Sequence, residues 1–124
     1  MTPVAKRVTV KLTANFERNL AEIEAFLAAA EVDNAFGLLI DELLDTVVPN
    51  LERFPAMGRS FLERVPGSVE VVEAQTALRA RLVGADVREY LLKNYLVLYV
   101  LERDVIHLLA IRHHRQLSFD LARL

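Results

Sequence analysis

A chain of 124 residues is long enough to close one core without staples, and its 53% hydrophobic share is somewhat above that of an ordinary globular domain. It holds no cysteine, which excludes disulfides, zinc–thiolate sites and thiol nucleophiles. A net charge of −2 argues against a domain whose chief ligand is bare nucleic acid.

The charge is unevenly spread. Residues 1–60 hold six Lys/Arg against nine Asp/Glu, whereas residues 79–124 hold eight Lys/Arg against five Asp/Glu and all three histidines. One end of the molecule is therefore acidic and the other mildly basic. The start, MTPVAKRVTVKL, lacks an apolar core behind a basic segment, and no stretch is both long and uncharged enough to span a bilayer. A single domain over 1–124, with a cytoplasmic location and no membrane contact, is the expectation. The apolar excess points to surface that a partner covers.

Residues 7–12 alternate as Arg, Val, Thr, Val, Lys, Leu, the period of a half-buried strand with Val8, Val10 and Leu12 inward. Thr13 or Asn15 is placed to cap a following helix, in which Phe16, Leu20, Ile23, Leu27 and Ala30 form one apolar stripe. After a short break, Asp33 is placed to cap a second helix, with Phe36, Leu39, Ile40, Leu43, Leu44 and Val47 as its stripe. Pro49 is expected to stop it, because proline has no amide to donate and disfavours helical geometry before it. The short break predicts an antiparallel hairpin of helices.

Pro55, Gly58, Pro66 and Gly67 mark turns, so the next stretch begins as a surface loop. Helical composition returns over residues 69–83, with Val72, Leu78 and Leu82 as anchors and Gly84 able to end the turn. From Val87 onward the chain reads as a meander of three antiparallel strands: 87–92, 95–102 and 105–112. The two longer strands are almost continuously apolar, so they belong at the centre with at least one face under helices. The meander runs into Arg112, His113, His114 and Arg115, four consecutive cationic or titratable groups. Strand, helix hairpin and meander together predict a two-layer α+β domain.

The order of these parts carries a resemblance. LERFPAMGR (Leu51–Arg59), VREYLLKNYLVLY (Val87–Tyr99) and IRHHRQ (Ile111–Gln116), in this order and spacing, resemble the RelE/ParE superfamily of toxins from type II toxin–antitoxin modules. The resemblance covers nearly the whole chain from Val8 to Leu121, and departs from the pattern over residues 62–84, a longer connection than is usual there. It implies two activities on one scaffold. RelE-like members are similar to metal-free endoribonucleases that cut messenger RNA in the ribosome, and ParE-like members poison DNA gyrase by binding it.

For the nuclease, Arg59, Arg88, His113, His114 and Arg115 are the candidate catalytic set: histidines for proton transfer, arginines for the phosphate charge. Against it, the lysine-rich patch typical of RelE-like members is missing, because residues 12–92 contain no lysine. The ParE-like, gyrase-directed reading is therefore preferred; a non-toxic binding relative is the third alternative. The resemblance also implies a cognate antitoxin, ParD-like or similar, and hence a toxin–antitoxin hetero-oligomer. Part of the antitoxin would lie in the groove between hairpin and sheet, as an amphipathic segment in an apolar cleft. Ala28, Phe36, Leu39 and Val48 are the candidate apolar contacts, and Arg59, Arg88, Arg112, His113, His114 and Arg115 the candidate polar contacts to antitoxin or target. No cofactor and no metal are implied, since the histidines have no carboxylate at ligand spacing.

Overall fold

A computed structural model describes residues 8–32, 34–116 and 118–122. Strand β1 (Thr9–Leu12) leads into helix α1 (Ala14–Ala29), and the hairpin continues as α2 (Ala35–Glu42), a π-helical turn (Leu43–Val47) and α3 (Val48–Arg53). A two-residue strand β2 (Arg59–Ser60), helix α4 (Val69–Arg81) and the meander β3 (Asp86–Leu91), β4 (Tyr95–Glu102) and β5 (Val105–His113) complete the domain. The five strands form one sheet in the order β1-β5-β4-β3-β2, with β1 parallel to β5 and every other pair antiparallel. The fold is the expected α+β domain of N-terminal strand, helix hairpin and meander.

The hairpin covers one face of the sheet. Phe16, Leu39, Leu43, Val47 and Leu51 pack there against Val97, Tyr99, Ile106, Leu108 and Ile111. Phe61 and the stretch 62–84, where the sequence departs from the family pattern, cover the other face. Phe61, Val71, Ala74 and Leu78 pack on Val87, Leu96, Leu98, Val100 and Ala110, so the sheet is buried on both sides as its unbroken apolar strands require. Of the predicted anchors of α4, Leu78 is fully buried and Leu82 half-buried, but Val72 is exposed; Val71 and Gln75 take the inward positions instead. Gln75 holds the segment by donating to the carbonyls of Phe61 and Arg64. Gly84 takes the left-handed conformation after the helix.

Of the two predicted caps of α1, Thr13 serves, accepting from the Phe16 amide. Two other local expectations are corrected. Leu12 is 46% exposed and not inward; of the predicted inward set Val8 is buried and Val10 half-buried. Pro49 does not end the second helix. The preceding π turn, in which the Val48 amide reaches back to the Leu43 carbonyl, widens the helix enough for a proline ring at the start of α3. Asp33 lies outside the described residues; Asn34, left-handed and without a side-chain cap bond, precedes α2.

The meander holds one irregularity. Leu98 faces Ala110 but Tyr99 faces Leu108, so Leu109 is an extra residue in β5, a β-bulge. The bulge changes the phase of alternation: Ile106 and Leu108 face the hairpin before it, and Ile111 does so after it. Without that shift the even-numbered residues up to Arg112 would share the hairpin face. None of the described helices is long and apolar enough to cross a membrane.

Candidate functional site

Beyond Leu12 the parallel edge of β5 has no strand partner, and α1 supplies one through two amides. Asn15 Nδ2 donates to the Leu109 carbonyl at 2.8 Å, and Asn19 Oδ1 accepts from the Ile111 amide at 3.1 Å. Both asparagines are buried. Unpaired backbone groups at a buried edge are costly, so these side chains fix α1 against the sheet and set the width of the space beside it.

That space is an open groove of about 820 Å³ between the α1–α2 hairpin and the ends of β4 and β5. Ile23, Phe26, Leu27, Leu38 and Leu39 form its helical wall, and Tyr95, Ile111 and His113 its sheet floor. Phe26 and Leu38 are 71% and 66% exposed, large apolar side chains left in solvent on facing helices. Lys93 in the β3–β4 turn and Arg115 after β5 stand at the mouth, with no ion-pair partner among the described residues. On the acidic side, Arg18 binds both Glu22 (2.8 Å) and Asp120 (2.9 Å), which holds the Asp120 carboxyl below its usual range. The groove thus offers a greasy wall with Lys93 and Arg115 at its rim, and Glu42, whose carboxylate accepts from the Lys93 amide at 3.4 Å, beside them.

His113 is turned into the groove by the bulge. Its ring meets Tyr95 edge-on at 5.2 Å, and Nδ1 accepts from the Arg115 amide, leaving the neutral ring's proton on Nε2. Burial, then the charges of Arg115 and His114, lower its pKa, so the ring is neutral at physiological pH. His114 is exposed and its Nε2 lies 3.3 Å from the Leu92 carbonyl. Arg112 takes no part in the groove: it points to the opposite face, buried, with its guanidinium 5.2 Å from the Phe119 ring centroid and bonded to the Gln116 carbonyl. Burial lowers its pKa, while the Glu89 carboxylate acts in the opposite direction.

The scan of the sequence against family models matches residues 10–118 to the ParE toxin of type II toxin–antitoxin systems, parDE. The chain belongs to the ParE toxin family. No curated protein matches it. It is therefore a toxin of the type II class, and ParE-family toxins pair with an antitoxin.

In this ParE-family fold the five candidate nuclease residues do not come together. Arg59 pairs with buried Glu89 on the α4 face at 3.2 Å. Arg88, on the hairpin face, is held by Asp86 and donates to the carbonyls of Ala56 and Gly58. Arg88 stands opposite Tyr99 and His113 opposite Tyr95, four residues along β4, or about 13 Å at the usual strand rise. Only His113 and Arg115 of the five share the groove. Among the candidate apolar contacts, Leu39 lines the groove but is only 3% exposed and belongs to the core. Phe36 packs against the core, Val48 is half-buried and Ala28 is exposed, and none of the three lines the groove. Sequence reasoning missed Phe26, Leu38 and Lys93. The signal for the first two was there: each widens its helix's apolar stripe by one neighbouring position, more than a single buried face needs. No group of three or more His, Asp or Glu that could hold a metal ion occurs among the described residues.

Proposed function

We propose that this ParE-family toxin arrests growth by binding DNA gyrase and prolonging its cleaved-DNA state, and that its antitoxin neutralises it through the hairpin groove. The observation that supports a binding role over nuclease chemistry is the dispersal of Arg59, Arg88 and His113 over two faces and two ends of the sheet. General acid–base cleavage of a phosphodiester needs base, acid and cations around one phosphate. Here Arg59 and Arg88 are occupied in internal ion pairs, and of the candidate arginines only Arg115 shares the groove with His113.

The groove fits an amphipathic helix of the antitoxin: apolar side chains at helical spacing against Phe26, Leu38 and Ile23, and carboxylates toward Lys93 and Arg115. A segment that is disordered alone and folds into this cleft would cover the exposed Phe26 and Leu38. The test of the target is direct. Purified toxin, gyrase, ATP and supercoiled plasmid should yield linear DNA after protein denaturation, and none should form without gyrase. Intact plasmid, together with messenger cutting on programmed ribosomes, would replace this reading by the nuclease.

A further inference from the structure

The loop of residues 54–58 is outside the groove and unused by the reading above, yet side chains of two strands, Tyr99 and Arg88, hold it in place. The Tyr99 hydroxyl, at the centre of the sheet, donates to the Pro55 carbonyl at 2.8 Å and accepts from the Gly58 amide at 2.9 Å. Arg88, itself oriented by Asp86, donates to the carbonyls of Ala56 (2.9 Å) and Gly58 (2.7 Å). Position 58 has no room for a side chain, since a Cβ there would come within 2.6 Å of both the Glu89 carbonyl and the Tyr99 hydroxyl. The Met57 amide closes the turn on the Phe54 carbonyl at 3.1 Å.

What this frame holds out is apolar. Phe54 and Met57 are 58% and 47% exposed, although a turn held only for its own sake would be filled by polar residues. The exposed side chain of Arg53 lies beside the Phe54 ring, 5.7 Å from its centroid, whereas Arg59 is turned to the α4 face and paired with Glu89. Anchors that are already ordered lose little freedom on docking, which is the character of residues that dominate an interface.

We propose that residues 54–58 form a second docking element, a rigid wedge that seats Phe54 and Met57 in an apolar pocket with a carboxylate rim on the toxin's protein target. Arg53, exposed beside Phe54 and in none of the ion pairs among the described residues, selects the acidic rim by charge complementarity. This rests on reading the chain as a toxin with a macromolecular target, whichever target that is. The wedge is tied to Tyr99 and the groove to Tyr95, about 13 Å apart along β4, and no wedge residue lines the groove. Antitoxin and target therefore meet separate surfaces.

The test is the double variant Phe54→Ser/Met57→Ser, whose side chains are largely in solvent, so its melting temperature should stay within 2 °C of wild type. Three readouts are taken: growth arrest on expression without antitoxin, affinity for its antitoxin, and gyrase-dependent plasmid cleavage. The wedge predicts at least about a tenfold loss of growth-arrest potency with antitoxin affinity unchanged within twofold. Full potency in the variant overturns it, as does Phe54-dependent binding of the toxin to bare duplex DNA, which would make the loop a base-step wedge. If wild type arrests growth without affecting gyrase, the gyrase reading fails while the growth comparison still decides the wedge.

Discussion

Replacing Tyr99 by Phe removes one oxygen from a fully buried ring and strands two backbone groups of the 54–58 loop, the Gly58 amide and the Pro55 carbonyl. The Gly58 amide is buried and has no water to turn to, so its orphaning carries a desolvation penalty of roughly 1–3 kcal/mol. The Pro55 carbonyl is only half-buried and recovers part of its loss from solvent. A total of about 2 kcal/mol corresponds to a fall of roughly 6–10 °C in melting temperature for a domain of this size. Urea denaturation with an unchanged m-value reports the same loss at equilibrium. The variant also removes a titration. Burial raises the Tyr99 pKa above its ordinary value of 10.0, so the folded state keeps the proton that the unfolded state releases. The associated stability is complete below pH 10 and declines as pH rises above it toward the folded value. Tyr99→Phe should therefore start lower and lose less above pH 10 than wild type. A variant that melts within 1 °C of wild type, with the same alkaline decline, would refute the idea that this hydroxyl holds the loop.

Gly58→Ala meets the Glu89 carbonyl, a backbone atom that cannot swing aside, and should destabilise by about 1–3 kcal/mol in urea titrations. Glu89→Ala leaves Arg59 and Arg64 without their shared carboxylate and buried Arg112 without its nearest counter-charge; the loss should be on the order of 3 kcal/mol by the same measurement, held down because Arg59 and Arg64 reach solvent. Asp120 has its pKa depressed, chiefly by the Arg18 hydrogen bond, so its stabilisation is present above the ordinary carboxylate value and is lost as pH falls through the depressed one. Asp120→Asn should flatten acid unfolding in that range, followed by circular dichroism. His113→Ala/His114→Ala should leave gyrase-dependent cleavage within about threefold of wild type, since neither ring is given a proton to transfer.

The sequence made the strands and the helix hairpin legible because their signals are local. Val87–Leu92, Tyr95–Glu102 and Val105–Arg112 are long β-branched and aromatic runs, and they fall within a residue of β3, β4 and β5. The composition of the meander end was legible; its geometry was not. Alternation puts Arg112 and His113 on opposite faces, but a bulge at Leu109 depends on how two strands pair, and it decides that His113 and not Arg112 faces the groove. The buried amides of Asn15 and Asn19 answer to an open edge of β5 that no periodicity in α1 can announce. Pro49 misled for a similar reason, since the π turn that admits it is a tertiary accommodation within an otherwise helical run. Leu39 and Leu38 show the limit of stripe counting: the residue on the stripe packs into the core, and its neighbour faces the groove.

That last distinction gives the most direct test of the groove as the antitoxin site. Leu39→Asp would unfold the protein and report nothing about binding, because it buries a carboxylate in the core. Leu38→Asp combined with Arg115→Glu alters only exposed side chains. Titration of this double variant with its antitoxin by calorimetry should show affinity at least about a hundredfold weaker at unchanged melting temperature. Affinity within threefold of wild type, in a variant that melts normally, would contradict the groove as the place where the antitoxin binds.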